Sequence, residues 1–191
     1  MESTSKSSTN YLRDYMILFG MGGIIILLDQ ATKILVRRNL ALGTWWSPWE
    51  WSEPYVRIVN WKNTGAAFGI LPSLGTFIAI LAVVVAIAIV YYFPRVPRED
   101  WTLRLAMGLT FGGALGNLID RLTIGWVTDY MSIWRFPVFN VADLCITLGV
   151  IVLLLGVWSQ ERKAARTHEL EEEELPNETS SDPVGQENVS E

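Results

Sequence analysis

From Phe68 to Phe93 the chain reads FGILPSLGTFIAILAVVVAIAIVYYF, with no charged side chain anywhere in it. A helix needs about 20 apolar residues to cross roughly 30 Å of hydrocarbon, and this stretch exceeds that. The solvent to reason in is therefore a bilayer. Three other stretches read the same way, and the sequence predicts membrane helices at about 15–36, 68–93, 103–122 and 138–158. Half of the residues are hydrophobic and only 18% are charged, a balance unusual for a soluble globule. The first span resembles a signal-peptide core, since Met16–Leu28 follows Lys6 and Arg13. No small-residue cleavage site follows it and apolar residues resume after Lys33, so it reads as an uncleaved anchor.

The connections set the orientation. Lys6, Arg13, Arg95, Arg98, Arg104, Arg162, Lys163 and Arg166 fall on one side, against Arg37, Arg38, Arg57, Lys62, Arg121 and Arg135 on the other. The richer side is expected in the cytoplasm with both termini, residues 1–14 among them. The Arg37–Arg38 pair runs against this bias. The segment 39–62 is then extracytoplasmic, and it carries Trp45, Trp46, Trp49, Trp51 and Trp61. Indole rings favour the headgroup layer, so this loop is expected to lie on the membrane, as an aromatic belt or as a substrate platform. The alternation of Tyr55, Arg57 and Val59 suggests short strands within it. The predicted fold is an all-α, four-helix membrane protein with a small, strand-containing loop subdomain between the first two helices.

The net charge of -5 divides unevenly, at +2 over residues 1–160 and -7 over 161–191. An acidic segment rich in Glu, Ser, Asn and Pro buries too little apolar surface to fold, so 161–191 is read as a disordered cytoplasmic tail. Its sequons at Asn177 and Asn188 are expected from such a composition. Cys145 is the only cysteine, which excludes a disulfide scaffold and reads as a small buried hydrophobe. The only histidine, His168, lies in the tail, which argues against His-based catalysis and His-based metal sites. Carboxylates are left as the main candidates for acid–base work.

An ionisable group inside a span costs on the order of 3 kcal/mol on insertion scales, which marks three clusters for attention. Asp29-Gln30-x-x-Lys33 closes the first span. Its i, i+4 acid and base either neutralise each other and tie the helix to its neighbours, or support a nearby site. Gly112-Gly113-Ala114-Leu115-Gly116-Asn117-Leu118-Ile119-Asp120-Arg121 closes the third. Gly112 and Gly116 make a small-xxx-small face, and Asn117 and Arg121 share a helix side. That block reads as a packing groove with an interfacial Asp–Arg pair, or as the wall of a polar cavity. The third cluster is Asp129, in Val127-Thr128-Asp129-Tyr130, with Asp143, in Phe139-Asn140-Val141-Ala142-Asp143. Asn140 is placed to cap the fourth helix, with Asp143 at about its third position near the positive end of the dipole. That position alone explains an acid at 143, whereas Asp129 has no such local reason. If two carboxylates meet in a poorly hydrated site, one keeps a proton, and Asp143 is expected to be the ionised member. Such a pair can activate water as aspartic proteases do. A proton-coupled carrier and a non-catalytic assembly protein remain as other readings, although no internal repeat is visible.

Together these blocks resemble the lipoprotein signal peptidase family, also called signal peptidase II. The match adds Asn63-Thr64-Gly65-Ala66-Ala67-Phe68 and runs from about Asp29 to Asp143. The resemblance implies a catalytic dyad of Asp129 and Asp143. It also implies that Asn63, Gly65, Asn117, Arg121 and Asn140 line or brace the site, with Asp29 and Lys33 supporting it. It implies cleavage of prolipoprotein signal peptides before a diacylglyceryl-modified cysteine, at the outer face of a bacterial plasma membrane. The expected partners are those signal peptides and membrane lipids, with no nucleic acid, no metal or other cofactor, and a monomeric enzyme. The acidic tail and the density of tryptophan in the loop lie outside the motif pattern.

Overall fold

The computed structural model describes residues 8–65 and 74–174. In order they form α1 (Ser8–Asn39), β1 (Trp45–Trp46), β2 (Val56–Asn63), α2 (Leu74–Tyr92), α3 (Trp101–Thr123), β3 (Val127–Ile133) and α4 (Val141–Glu174). One compact unit covers Met1–Leu154; a second, Leu155–Glu191, contains the remainder of α4.

Three helical stretches are long and apolar enough to cross a membrane: Asn10–Asn39, Leu74–Arg95 and Val141–Ser159. Their outward side chains, such as Leu27, Ile87 and Leu154, are exposed as lipid-facing residues must be. Of the four predicted spans, α3 differs. It is long enough at 23 residues, but Arg104, Asn117, Asp120 and Arg121 dilute its apolarity. Arg104, Asn117 and Asp120 are buried against the rest of the protein rather than displayed.

The sheet corrects the all-α reading. Its strands run β1-β2-β3, all antiparallel, so the subdomain is not confined to the connection between α1 and α2. The third strand comes from the α3–α4 connection and pairs Trp61 with Asp129, Lys62 with Thr128 and Asn63 with Val127. A register shift lies between Ile58 and Trp61. No local signal announces such a pairing, because the two strands lie far apart in sequence and meet only once the helices have packed.

Two helices also run further than predicted. Helix α1 extends past 15–36 at both ends, and α4 continues to Glu174, into the segment read as a disordered tail. Residues from Glu161 are mostly Glu, Ala, Arg and Lys, strong helix formers that prolong an existing helix without a new nucleation step. The rest of that tail, the start of the second predicted span at 68–73, and Ala66–Phe68 of the quoted motif lie outside the described residues.

Helix α3 is the axis of the first unit. Asp100 caps it, its side chain accepting the Leu103 N–H at 3.2 Å. Near this end a fully buried Asp14 takes the Arg104 guanidinium at 2.9 Å and Arg98 at 3.4 Å, joining α1 to α3. The glycines predicted to allow close approach, Gly112 and Gly116, do so, and a Cβ at Gly112 would lie 2.7 Å from Ile25 Cβ. Gly113, not singled out in the sequence, does the same toward α4. A Cβ at Gly113 would lie 2.5 Å from the Ala142 carbonyl oxygen and 2.8 Å from Ile146. A Cβ at Gly116 would lie 2.7 Å from Asp29 Oδ2. Only a hydrogen lets α4 and the Asp29 carboxylate come this near.

Gly113→Ala is therefore expected to force α3 and α4 apart and destabilise the protein by about 1–3 kcal/mol. Gly20→Ala, where a Cβ meets nothing within 4 Å, should be neutral or mildly stabilising. Thermal unfolding of both variants in detergent checks this; equal midpoints would refute the packing account.

Candidate active site

The start of α4 is built by its own sequence. Asp143 N–H donates to Asn140 Oδ1 at 2.9 Å while Asn140 N–H donates to Asp143 Oδ2 at 3.2 Å. This reciprocal cap satisfies two helix-end donors and fixes the Asp143 carboxylate at the third helical position, as the Asn140–Asp143 spacing predicted. Asp143 Oδ1 accepts from Asn117 Nδ2 at 2.7 Å, across from α3.

Asp129 reaches the same place from β3. Its Oδ1 accepts from Asn140 Nδ2 at 2.8 Å and its Oδ2 from Asn63 Nδ2 at 2.8 Å. Asn140 thus touches both acids, Asp129 through its side-chain amide and Asp143 through its backbone. Asn63 is held in turn by the Gly65 N–H, which donates to its Oδ1 at 2.8 Å. Gly65 has φ +76°, and a Cβ there would lie 3.2 Å from the Gly75 Cα, so both backbone and space favour glycine. Asp129 is only 2% exposed. Burial pushes its carboxyl up to about 6, helped by the nearby Asp143 and opposed by the Asn63 and Asn140 amides and by Lys33.

Beneath the two acids lies a buried cation. Lys33 Nζ sits 2.8 Å from Asp29 Oδ2, 2.9 Å from Asn117 Oδ1 and 3.4 Å from Asp120 Oδ2. Lys33, Asp29 and Asp120 are at most 1% exposed. Asp29 Oδ1 also accepts the Ala142 N–H at 3.0 Å, a second hold on the first turn of α4. The Asp29–Lys33 pair therefore both ties its helix to its neighbours and supports the residues around Asp143.

The Gly112–Arg121 block was open to an interfacial Asp120–Arg121 pair. Instead Asp120 meets Lys33 and Arg37, the latter at 3.3 Å, and accepts the Thr128 N–H at 2.9 Å. Arg37 donates to Thr128 Oγ1 at 2.8 Å. Gln30 adds bonds to Gly116 O at 3.0 Å and Asp120 Oδ1 at 3.4 Å. Sequence reasoning left Arg37, Asp120 and Thr128 out of the site. The i, i+4 series Asp29, Lys33, Arg37 was the available signal for the first of them. Thr128 had none, because its partners come from two distant helices.

The site opens on two sides. A cavity of about 290 Å³ runs between α2, α3 and α4, with Asn117, Arg121 and Asp143 at its polar end and Ile78, Leu81, Val85 and Ile146 along its walls. Arg121 also donates to Asn117 O at 3.4 Å. A second, more polar cavity of about 250 Å³ lies against the sheet, bounded by Trp61, Asn63, Thr64, Asp129 and Pro137. Among the described residues no cluster of three His, Cys, Asp or Glu side chains could hold a metal ion. All nine residues singled out in the sequence gather here: Asp29, Lys33, Asn63, Gly65, Asn117, Arg121, Asp129, Asn140 and Asp143.

Comparison with known proteins meets this geometry. The sequence profile of Signal peptidase (SPase) II matches residues 21–159. The lipoprotein signal peptidase of Halothermothrix orenii is 40% identical over 144 residues, covering 73% of this chain and 93% of that protein. That of Desulfitobacterium hafniense is 37% identical over 158 residues, covering 80% and 99%. A bacterial membrane enzyme solved by the in meso method at 2.3 Å resolution superposes with a TM-score of 0.68 at 30% identity, covering 75% of this chain and 88% of that one. The chain belongs to the signal peptidase II family of membrane peptidases.

The buried Asp129 has a consequence for stability. Folded, it holds its proton up to about pH 6; unfolded, it loses it near 3.8. The native state binds more protons between those values, so stability falls as pH rises through that window and levels off above it. The loss is on the order of 3 kcal/mol. Asp129→Asn should remove this slope, so the wild-type and variant unfolding midpoints converge or cross between pH 4 and 6.5. Parallel curves would show that Asp129 does not titrate in this window.

Proposed function

We propose that this member of the signal peptidase II family is an aspartic endopeptidase that removes signal peptides from diacylglyceryl-modified prolipoproteins. It cuts just before the lipidated cysteine, with Asp129 and Asp143 activating the water. The observation that carries the reading is the single Asn140 bridge between two carboxylates, set at the polar end of an apolar cavity between membrane helices. The relatives' name, lipoprotein signal peptidase, supports the substrate class.

Asp129, buried and pushed up to about 6, is the proton-holding member. Asp143, in the first turn of α4 where the helix N-terminus favours negative charge, is the general base. Asp143 takes a proton from water as the oxygen attacks the scissile carbonyl carbon. Asp129 gives its proton to the carbonyl oxygen, forming a neutral gem-diol. On collapse, a gem-diol hydroxyl returns a proton to Asp129, and Asp143 passes its own to the leaving nitrogen. Both acids end as they began.

The signal peptide's apolar segment would enter laterally along Ile78, Leu81 and Val85, and Arg121 at the head of that cavity would fix the backbone near the scissile bond. All four α-helices span the bilayer in this reading, α3 being shielded from lipid by its neighbours where it is polar. Both termini then lie in the cytoplasm. The site and the tryptophan-rich β1–β2 segment lie at the outer face of a bacterial plasma membrane, and the enzyme works as a monomer.

Purified protein in detergent should cut a diacylglyceryl-modified prolipoprotein peptide. Asp129→Asn and Asp143→Asn, although folded, should each be slowed by roughly 10²–10⁴-fold or more. Normal cleavage by either variant would make that aspartate structural and remove the dyad mechanism.

A further inference from the structure

A third cavity, of about 530 Å³, plays no part in the chemistry above. It lies between the outer end of α1 and the sheet, walled by Leu35, Val36, Leu40, Trp46, Ile58 and Tyr130. Tyr130 follows Asp129 on β3, so the two side chains leave opposite faces of the strand, and this cavity is separate from the one that Asp129 lines.

The walls decide what can fill it. Thr32, Asn39 and Tyr130 bring polar groups to the border, and each already makes at least one hydrogen bond within the protein. The Thr32 hydroxyl donates to Leu28 O at 2.8 Å and accepts from the Tyr130 hydroxyl at 2.7 Å. The Asn39 amide donates to Leu35 O at 2.7 Å. A water here would find few of the two to four partners it needs, so the favoured occupant is hydrocarbon. The volume falls within the usual range for ligand pockets.

Arg38 supplies the second observation. It is one of the two arginines that run against the charge bias. Its neighbour Arg37 is explained by Asp120 and Thr128, whereas Arg38 is exposed and makes no ion pair among the described residues. It lies in the last turn of α1, three residues beyond Leu35, and so on the same side of the helix as that lining residue and one turn nearer the outer end. A cation at that level of a membrane span complements a lipid phosphate.

We propose that this cavity is a binding site for an anionic phospholipid of the surrounding membrane, with one acyl chain against Leu35, Val36 and Ile58 and its phosphate at Arg38. The lipid shores up the side of α1 and β3 that faces away from the two carboxylates. It is a resident ligand and not the substrate, because its seat is separate from both cavities of the active site.

The test uses full-length protein in vesicles of phosphatidylcholine doped with phosphatidylglycerol that carries a diazirine in its acyl chain. After illumination, adducts are mapped by mass spectrometry. The expected result is adducts concentrated on Thr32–Leu40 and around Ile58. Leu35→Trp or Asn39→Trp should deplete them while adducts on α2 stay unchanged, the α2 signal reporting that the variant is folded. Arg38→Gln should lower the preference for the phosphatidylglycerol probe over its phosphatidylcholine counterpart by roughly fivefold. Adducts spread evenly over every lipid-facing helix, or unaltered by the tryptophan variants, would overturn the site. An unchanged preference in Arg38→Gln would overturn the headgroup assignment. A prolipoprotein carrying the diazirine on its own acyl chain should not label this segment; if it does, the cavity belongs to the substrate. The readout is lipid contact, so it stands apart from whether either aspartate is needed for cleavage.

Discussion

A lysine ammonium with no exposed surface has to find within the protein everything that water would have given it. Lys33 finds two carboxylates and an amide oxygen, and these come from two helices. Removing one member of such a buried set typically costs 3–5 kcal/mol, because the remaining charge is stranded. The arrangement of α1 against α3 is therefore specified by charge as well as by packing. From that centre the connections pass outward: Asp29 to the Ala142 N–H of α4, Asn117 to Asp143, and Asp120 to the Thr128 N–H of β3. Both the strand that carries Asp129 and the helix that carries Asp143 are thus referred to one cation on α1.

Asparagine does the linking at the next level. Two acids close together in a low-dielectric site resist a third charge, but each still needs its oxygens satisfied. An amide side chain donates and accepts without adding charge. Asn117 accepts from Lys33 and donates to Asp143, and Asn140 accepts from Asp143 N–H and donates to Asp129. Asn63 accepts from Gly65 and donates to Asp129. Each of the three passes orientation from a backbone or a cation to a carboxylate. The glycines of α3 make this geometry reachable, since Gly113 and Gly116 allow α4 and Asp29 to approach to a distance that any larger residue would block.

The sequence made some of this legible and some of it not. Asn140 and Asp143 could be read as a cap because a capping box is local, three residues apart on one helix start. Asp29 and Lys33 could be paired for the same reason, one helical turn apart. The partner of Asp120 was left open between Arg121 and a polar cavity, because its actual partners, Lys33, Arg37 and Thr128, are remote in sequence. The strand character of β3 was missed because a strand is defined by its partner, and β2 lies on the far side of two helices in chain order.

By itself the sequence determined the solvent, the apolar helices, nine of the residues that gather at the site and the family whose motifs they match. Those properties follow from composition and from spacings within one turn or one cap, where covalent geometry alone fixes which groups are neighbours. Tertiary structure alone decided that β3 joins the sheet and carries Asp129 to Asn140, and that Asp120 serves Lys33, Arg37 and Thr128. It also decided that a second apolar cavity opens beside Tyr130, away from the carboxylates. Each of these depends on groups that meet only after α1, α3 and the sheet have closed on one another, and no local periodicity records such a meeting.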